Sequence, residues 1–281
     1  MLGRMNDASP APVSGAAAES AASTPTPVRP RVALVRRPAA NLDEGQLTHI
    51  DRVPVDFDLA VRQWNAYREA LKSEGWRTVE VEPAPELPDS VFIEDAVVMF
   101  GDTAVLASPG APTRRAEAAG AESAVRELGI RVIPLELPAT LDGGDVLKIG
   151  RTVYVGQGTR TNAEGVRQLA AAIEPLGYTV VAVPVTKALH LKSAVTALPD
   201  GTVIGHESLV DDPSVFPRFT AVPEVEGTAV VILDDETLLM SSSAPRSAAL
   251  FESLGYRVIA TEISEFEKLE GCVTCLSVRI R

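Results

Sequence analysis

The sequence has few of the residues that build metal sites. It contains two cysteines and three histidines among 281 residues, whereas a structural zinc site requires about four such ligands, usually in paired motifs. A redox pair of the thioredoxin type places its first thiol at the start of a helix, but LSVRIR after Cys275 has the alternating pattern of a strand. Redox or zinc use, an inert buried pair and a lone nucleophile remain open for Cys272 and Cys275, and the pattern favours a nucleophile.

Long apolar runs are also missing. No segment offers the roughly 18 uninterrupted apolar residues that a membrane span requires, and the Ala-, Pro- and Ser-rich residues 1–29 have no apolar core of a secretory signal. We therefore expect a disordered tail over 1–29, a single domain over 30–281, no membrane contact and a cytoplasmic location, where both thiols are reduced.

Positive charge is scarce. Lys and Arg number 26 against 38 Asp and Glu, which gives a net charge of −12, and no basic run is present. A groove that tracks phosphates needs such a run, so nucleic acid is not an expected partner. The acidic field would attract a cationic small substrate, although an acidic surface that maintains solubility accounts for the charge more simply.

A short phrase recurs along the chain. EGWRTVEVE, LGIRVIPLE, LGYTVVAVP and LGYRVIATE each follow a helical pattern and contain Gly75, Gly129, Gly177 or Gly255. Glycine adopts the left-handed conformation that ends a helix without steric cost, and an apolar, β-branched strand follows each time. The repeated unit is a helix, a glycine and a strand.

Further strand candidates, several of them hairpin-like, precede these units at 31–37, 91–108, 145–157 and 229–242. A fifth, degenerate module fits before Gly255: HLKSAVTALPDGTVIGHES forms its hairpin, its helix is short or missing, and TAVPEVEG is its final strand. The terminal CVTCLSVRI would complete the first module. The sequence thus predicts an α/β ring of five modules, each strand, strand, helix, strand, whose inner strand ends converge on one axis.

Candidate catalytic groups lie near those strand ends. His190 stands where a strand ends, whereas His49 lies in a polar loop and His206 follows a hairpin turn. Asp142 and Asp145 flank a Gly-Gly pair, which permits close approach of the backbone to a ligand. Each feature alone also has a purely structural reading, as a satisfied histidine or a plain turn.

The segment PDSVFIED places Asp89, Glu94 and Asp95 beside an apolar strand. Successive strand residues face opposite sides of a sheet. We therefore expect only one of Glu94 and Asp95 to address a ligand, and the other to hold neighbouring backbone or an arginine.

Six motifs together resemble a known family. PDSVFIEDAVV, PGAPTRR, LDGGDVL, GTRTN, LHLKS and EGCVTC, in that order, are similar to motifs of the dimethylarginine dimethylaminohydrolases, guanidine-modifying enzymes of the pentein superfamily. The resemblance spans residue 31 to the end. It implies a five-bladed α/β propeller of ββαβ modules, in agreement with the module count.

The resemblance also implies a reaction and its residues: hydrolysis of Nω-methylated arginine to citrulline and a methylamine through a covalent Cys thiouronium. Cys275 would be the nucleophile, His190 the general acid and base, and Asp142 the carboxylate that grips the guanidinium. No metal, nucleotide or redox cofactor is implied, and a homodimer is compatible with it. The implied substrate-binding residues are Asp95 for the guanidinium, Arg114 and Arg160 for the α-carboxylate, Asp89 and the main chain near Leu47 for the α-amino group, and Glu94 and Leu269 beside them.

Two alternatives stay open. An arginine deiminase, or a hydrolase of another guanidino compound, would share the same chemistry, although FIED in place of FxRD and the short chain favour the methylarginine branch. A non-catalytic propeller scaffold is the remote alternative, because fold alone does not fix function. A scaffold would not need Cys275, His190, Asp142 and both arginines together.

Overall fold

The computed structural model describes Met1 and residues 31–281, so the predicted tail over 1–29 lies outside the region it describes, apart from Met1. Within this part of the chain the strands form five three-stranded sheets. In chain order the strands are β1 (Val32–Val35), β2 (Arg77–Glu80), β3 (Val97–Phe100), β4 (Thr103–Leu106), β5 (Arg131–Pro134), β6 (Val146–Ile149), β7 (Thr152–Gln157), β8 (Thr179–Pro184), β9 (Val195–Ala197), β10 (Val203–Gly205), β11 (Phe219–Ala221), β12 (Val230–Ile232), β13 (Thr237–Ser241), β14 (Arg257–Thr261) and β15 (Val278–Ile280).

Every sheet has the same internal order. An edge strand pairs antiparallel with the central strand, and the central strand pairs parallel with the third. The antiparallel edge strands, here named the inner strands, are β15, β3, β6, β9 and β12. The predicted five-module α/β ring is confirmed by this repetition.

Six α-helices lie in the described part of the chain, and four of them make parallel crossovers. They are α1 (Phe57–Ser73), α2 (Glu117–Glu127), α3 (Ala163–Ile173), α4 (Leu191–Ala194), α5 (Pro245–Ser253) and α6 (Ser264–Glu267). Four of them, α1, α2, α3 and α5, precede the third strand of a sheet, and Gly75, Gly129, Gly177 and Gly255 have positive φ angles of 79°, 73°, 84° and 95° after them. No helix among the described residues combines the length and apolar character that a bilayer crossing requires.

The fourth module lacks a crossover α-helix. Only a 3-10 turn, Pro213–Val215, lies between β10 and β11, as the sequence predicts. The predicted extent of its last strand was wrong: β11 covers Phe219–Ala221, and Val225–Thr228 forms a 3-10 turn. Pro223 has no amide hydrogen to donate to a ladder, so the strand ends before it.

A second correction concerns the segment before β3. Residues predicted as an extended strand form two 3-10 turns, Pro88–Val91 and Ile93–Ala96, joined at Phe92. The strand itself begins at Val97. The turns place Glu94 and Asp95 directly before the start of β3, with both side chains buried.

The ring closes through the pairing of its first and last strands. β15 pairs antiparallel with β1, with Val32 opposite Ile280 and Leu34 opposite Val278. The hydroxyl of Tyr67 in α1 donates to the carbonyl of Val273 at 3.0 Å and contacts Ser277 Oγ at 2.7 Å. Closure and this contact fix the segment that carries Cys275.

Candidate active site

Seven of the ten predicted site residues line one cavity at one end of the ring. The cavity has a volume of about 20 Å³, room for about one water molecule. Gln46, Glu270 and Gly271 also form part of its wall. The seven are Asp89, Asp95, Arg114, Arg160, His190, Leu269 and Cys275.

Asp142 lies directly behind His190. Its carboxylate is fully buried, and Oδ2 lies 2.9 Å from His190 Nε2. Oδ1 accepts a hydrogen bond from the amide of Gly110 at 2.9 Å, and the amide of Asp142 donates to Thr161 Oγ1 at 3.2 Å. The carboxylate is thus held by backbone and orients the imidazole, because a histidine bonded at one nitrogen has a fixed ring plane.

The imidazole sits among carboxylates. Burial alone would lower the pKa of His190, but the charges of Asp95, Asp142 and Asp145 outweigh burial and raise the pKa to about 9. His190 Nδ1 lies 3.9 Å from Asp95 Oδ1. The ring is therefore an imidazolium at neutral pH, with a proton available for a leaving group.

The Gly-Gly turn brings two modules into contact. The amide of Gly144 donates to Asp95 Oδ1 at 2.9 Å. A Cβ atom at Gly144 would lie 2.7 Å from both Asp95 Oδ1 and His190 Nδ1, and one at Gly143 would collide with the carbonyl of Glu94. Only glycine permits this approach, which positions Asp95 against the imidazole.

The two arginines differ in their partners. Arg114 donates to Asp95 at 2.7 Å, to Glu117 at 2.7 Å and to the carbonyls of Asp89 and Phe92. Arg160 Nη1 lies 3.5 Å from Asp142 Oδ2 and has no hydrogen-bond partner in the described part of the chain, although it is buried. A buried unpaired donor costs free energy, so Arg160 is the arginine that is poised to receive an anion.

Cys275 sits in a tight turn with the other cysteine. Its side chain is 7% exposed, and its Sγ lies 3.3 Å from Cys272 Sγ. Cys272 is therefore in contact with the candidate nucleophile. The hydrogen bond to Cys272, burial, and the charges of Glu94 and Asp95 raise the pKa of Cys275, which keeps it a thiol in the closed site.

Three predicted residues lie outside the cavity wall. Asp142 is behind His190, as described. The carboxylate of Glu94 points to the other side of the turn, where it accepts from Thr274 Oγ1 at 2.8 Å and pairs with Lys192 Nζ at 2.7 Å. Leu47 packs against the apolar cluster that contains Leu269, and its neighbour Gln46 faces the cavity instead.

The side chains of Glu94 and Asp95 do face opposite sides of the turn, as predicted. The predicted reason, alternation along a strand, was wrong. They are consecutive residues of a 3-10 turn and not of a strand. The amide of Glu94 donates to the carbonyl of Cys275 at 3.2 Å. Glu94 thus ties the turn to the cysteine segment, while Asp95 faces the imidazole.

Sequence reasoning missed two carboxylates. Glu117, the first residue of α2, pairs with Arg114 three residues earlier in the chain, a spacing that could have revealed it. Glu270 has φ of 59°, and its carboxylate accepts from the amides of Thr48 and His49, each at 2.7 Å. Asp89 likewise accepts from the amide of Gln46. Glu270 and Asp89 hold the loop 45–52 over the cavity.

A metal would have one candidate set of ligands here. Ligand atoms of Asp95, Asp142 and His190 lie within 4.8 Å of one another. Asp95 already pairs with Arg114 and the amide of Gly144, and Asp142 pairs with His190. The two carboxylates and the imidazole therefore already have hydrogen-bond and charge partners, and they form an acid–base network.

Comparisons with known proteins agree with this geometry. The family model described as arginine deiminase matches residues 58–238. An N(G),N(G)-dimethylarginine dimethylaminohydrolase from Streptomyces coelicolor is 62% identical over 249 residues, 89% of this chain and 96% of that protein. Another from Pseudomonas aeruginosa is 35% identical over 250 residues, 88% of this chain and 98% of that protein.

Solved structures show the same architecture. A Cys-to-Ser mutant of the Pseudomonas aeruginosa enzyme in complex with citrulline superposes with a TM-score of 0.82 at 33% identity, covering 89% of this chain and 98% of the other. The N-terminal domain of a cyanobacterial arginine dihydrolase gives a TM-score of 0.80 at 21% identity, covering 90% and 98%. The second likeness concerns the fold alone.

The carboxylate of Glu270 predicts a local effect on the loop above the cavity. In Glu270→Ala the amides of Thr48 and His49 lose their acceptor, so we expect their hydrogen exchange to accelerate by about tenfold or more, while exchange in the β-sheets is unchanged. Exchange followed by mass spectrometry measures this. Glu226→Ala, which removes an exposed carboxylate elsewhere, is the matched control, and equal loop exchange in both variants would contradict the assignment.

The raised pKa of His190 predicts a pH dependence of stability. A group whose pKa is higher in the folded state stabilises the fold fully below its unfolded pKa, and this contribution is lost as the pH rises through the folded value. Between the ordinary value of 6.5 and a folded value of about 9, the loss should be about 3 kcal/mol. Urea unfolding from about pH 6 to pH 10 should show a steeper decline for wild type than for His190→Asn. Parallel curves would mean that the imidazole is neutral at pH 7.

Proposed function

Because the chain belongs to the dimethylarginine dimethylaminohydrolase family, we propose that it hydrolyses arginine methylated on the guanidine, and releases citrulline and a methylamine. One observation carries this proposal: a thiol, an imidazolium and the buried carboxylates of Asp89 and Asp95 line one cavity, together with an arginine that has a donor without a hydrogen-bond partner. The carboxylates suit a cationic guanidinium, and the arginine suits the α-carboxylate of an amino acid.

Asp95 faces the cavity and recognises the guanidinium, whereas Asp142, to which the resemblance also assigned the guanidinium, lies behind His190 and orients it. A carboxylate orients a planar cation with several N–H donors, and Asp95 is buried and held by the amide of Gly144, as Asp142 is by the amide of Gly110. Orientation matters because the guanidinium carbon is a weak electrophile, so the nucleophile must approach perpendicular to the plane.

The bound substrate activates the thiol. The hydrogen bond to Cys272, burial and the nearby carboxylates raise the pKa of Cys275 in the closed site, and a cation next to a thiol has the opposite effect. The Cys275 proton passes to solvent water as the cationic substrate enters, and the resulting thiolate forms a C–S bond to the guanidinium carbon. Thiolate is the soft nucleophile that this carbon requires.

His190 moves the protons of the two halves of the reaction. The imidazolium donates its proton to the methylamine nitrogen as the C–N bond breaks, which leaves a thiouronium on Cys275. The neutral imidazole then takes a proton from water as the water oxygen attacks the same carbon. The C–S bond breaks, citrulline leaves, and Cys275 recovers its sulfur electrons and a proton.

The amino-acid end of the substrate meets different groups. Arg160 has an unpaired Nη1 donor and binds the α-carboxylate. Arg114 is committed to Asp95 and Glu117, so its larger contribution is to hold Asp95 in place. Asp89, with backbone from the loop near Leu47, binds the α-ammonium, and Glu94 positions the cysteine segment. Leu269 contributes backbone and apolar wall.

Substrate entry requires movement of the loop 45–52 that lies over the cavity. A cavity of about 20 Å³ holds about one water molecule, far less than an amino acid. The loop 45–52, which is held by Asp89 and Glu270 through amide hydrogen bonds, must open for binding and close again for chemistry.

An arginine deiminase activity is the second candidate, because the matching family model carries that description. Assays of citrulline release from dimethylarginine, monomethylarginine, arginine and agmatine in parallel separate the two. We expect the methylated arginines to have kcat/KM values at least about tenfold above that of arginine, a discrimination of the size that methyl groups in a pocket provide. A higher value for arginine would assign the deiminase activity instead.

The two cysteines should respond differently to substitution. Cys275→Ser should lower kcat by about a thousandfold or more, as loss of a covalent nucleophile does. Cys272→Ala removes a neighbouring thiol and should stay within about tenfold of wild type. Trapping of a covalent adduct by mass spectrometry checks the site directly, and equal losses in the two variants would show that the thiols act as a unit.

Arg160 should bind the α-carboxylate of the substrate. Loss of one partner of a buried charged pair costs about 2 to 5 kcal/mol, so Arg160→Ala should lower kcat/KM for dimethylarginine by about 30-fold or more. Agmatine has no carboxylate, and its kcat/KM should change little. Arg167→Ala in α3, which removes an exposed arginine, is the control. Equal losses on both substrates in Arg160→Ala would mean that Arg160 supports the fold.

A further inference from the structure

A second and larger cavity lies on the axis of the ring. Its volume is about 370 Å³, and residues from the inner strands β3, β6, β9, β12 and β15 line it. The turn at Glu94–Asp95 and the segment at Thr274–Cys275 separate it from the catalytic cavity, since Glu94 and Thr274 face the axial cavity while Asp95 and Cys275 face the other. None of the catalytic groups faces it.

The axial cavity gathers positive charge in an acidic protein. Lys148, Lys192, Arg279 and Arg281 line it, and Glu94 is the one carboxylate among the lining residues that the structure describes. Glu94 pairs with Lys192 at 2.7 Å and with Arg279 at 3.3 Å, and its single charge balances one of the four cations. Three cationic groups are thus left without a carboxylate partner among the lining residues, although the chain as a whole carries −12.

The other contacts of these cations do not neutralise them. Lys148 Nζ donates to the carbonyl of Met99 at 2.5 Å, Arg279 Nη1 donates to Ser277, and Arg281 donates to the carbonyl of Ile232. Carbonyl and hydroxyl oxygens satisfy N–H donors but carry no counter-charge. The cations therefore repel one another across a concave wall, where charges of one sign concentrate the field.

Two effects lower the pKa of Lys148. Enclosure by protein lowers its pKa most, and the charges of Lys192, Arg279 and Arg281 lower it further, to about 7. At the mouth, the pKa of Arg281 is lowered by burial and by Arg279 and Arg31, and is raised by Asp235 and Asp234.

We propose that the axial cavity is a binding site for a small multivalent oxyanion of the phosphate type. Several oxygens with two or more negative charges would accept from the ammonium and guanidinium groups at once, and charge-assisted bonds of this kind are the strong ones. The volume admits one such anion with water around it. Neutralisation by the anion relieves the repulsion among the cations.

Pyrophosphate is the probe, and the Cys275→Ser protein is the host so that no turnover interferes. Isothermal titration at about pH 6.5, where Lys148 is charged, should give saturable binding of one pyrophosphate per chain at an ionic strength fixed with chloride. Lys148→Met and Arg281→Gln should each weaken binding by about tenfold or more. Lys72→Met, the same charge change on exposed helix α1, should leave binding unchanged.

Two further readouts distinguish binding in the axial cavity from binding elsewhere on the protein. Lys148→Met removes one of the repelling cations, so its melting temperature without pyrophosphate should be equal to or above that of the host, and pyrophosphate should raise it less. Arg160→Ala should bind pyrophosphate as tightly as the host, because Arg160 belongs to the catalytic cavity. Absence of saturable binding by the host would overturn the proposal. So would loss of binding in Arg160→Ala combined with unchanged binding in Lys148→Met.

Discussion

Pairing of the last strand with the first is the constraint on which the rest of the structure depends. β15 completes the sheet of β1, and Cys275 lies three residues before it. Without that pairing the cysteine segment would have no fixed position relative to the turn that carries Asp95, or to the junction that carries His190. The catalytic residues come from modules far apart in sequence, and ring closure makes them neighbours.

Charge is sorted along the axis of this ring. Buried carboxylates surround an imidazolium and a guanidinium at one end, and cations predominate in the axial cavity at the other. Glu94 lies at the boundary, because its amide contacts the carbonyl of Cys275 while its carboxylate pairs with Lys192. Buried charges persist when they are paired and hydrogen-bonded, and the network around Asp95 meets that condition through Arg114, Gly144 and His190.

The repeated part of the fold was predictable, and the contacts between modules were not. Gly75 and its three equivalents mark helix ends by a local rule, the need for positive φ, so the module count followed from sequence. The turn at Glu94 and the positive φ of Glu270 depend on distant segments, the carbonyl of Cys275 and the amides of Thr48 and His49. Motif resemblance identified Arg114 and Arg160 alike, but only the three-dimensional contacts distinguish a saturated guanidinium from one with a free donor.

The adjacency of β1 and β15 also bears on how the chain can be rearranged. Val32 stands opposite Ile280, so the first and last strands of the ring are separated by little more than the spacing of paired strands. Exposed turns tolerate new chain ends better than buried segments do. Circular permutation that joins these ends and opens the exposed hairpin turn after β9, at Asp200, would preserve all five blades while turning the cysteine segment into an internal connection.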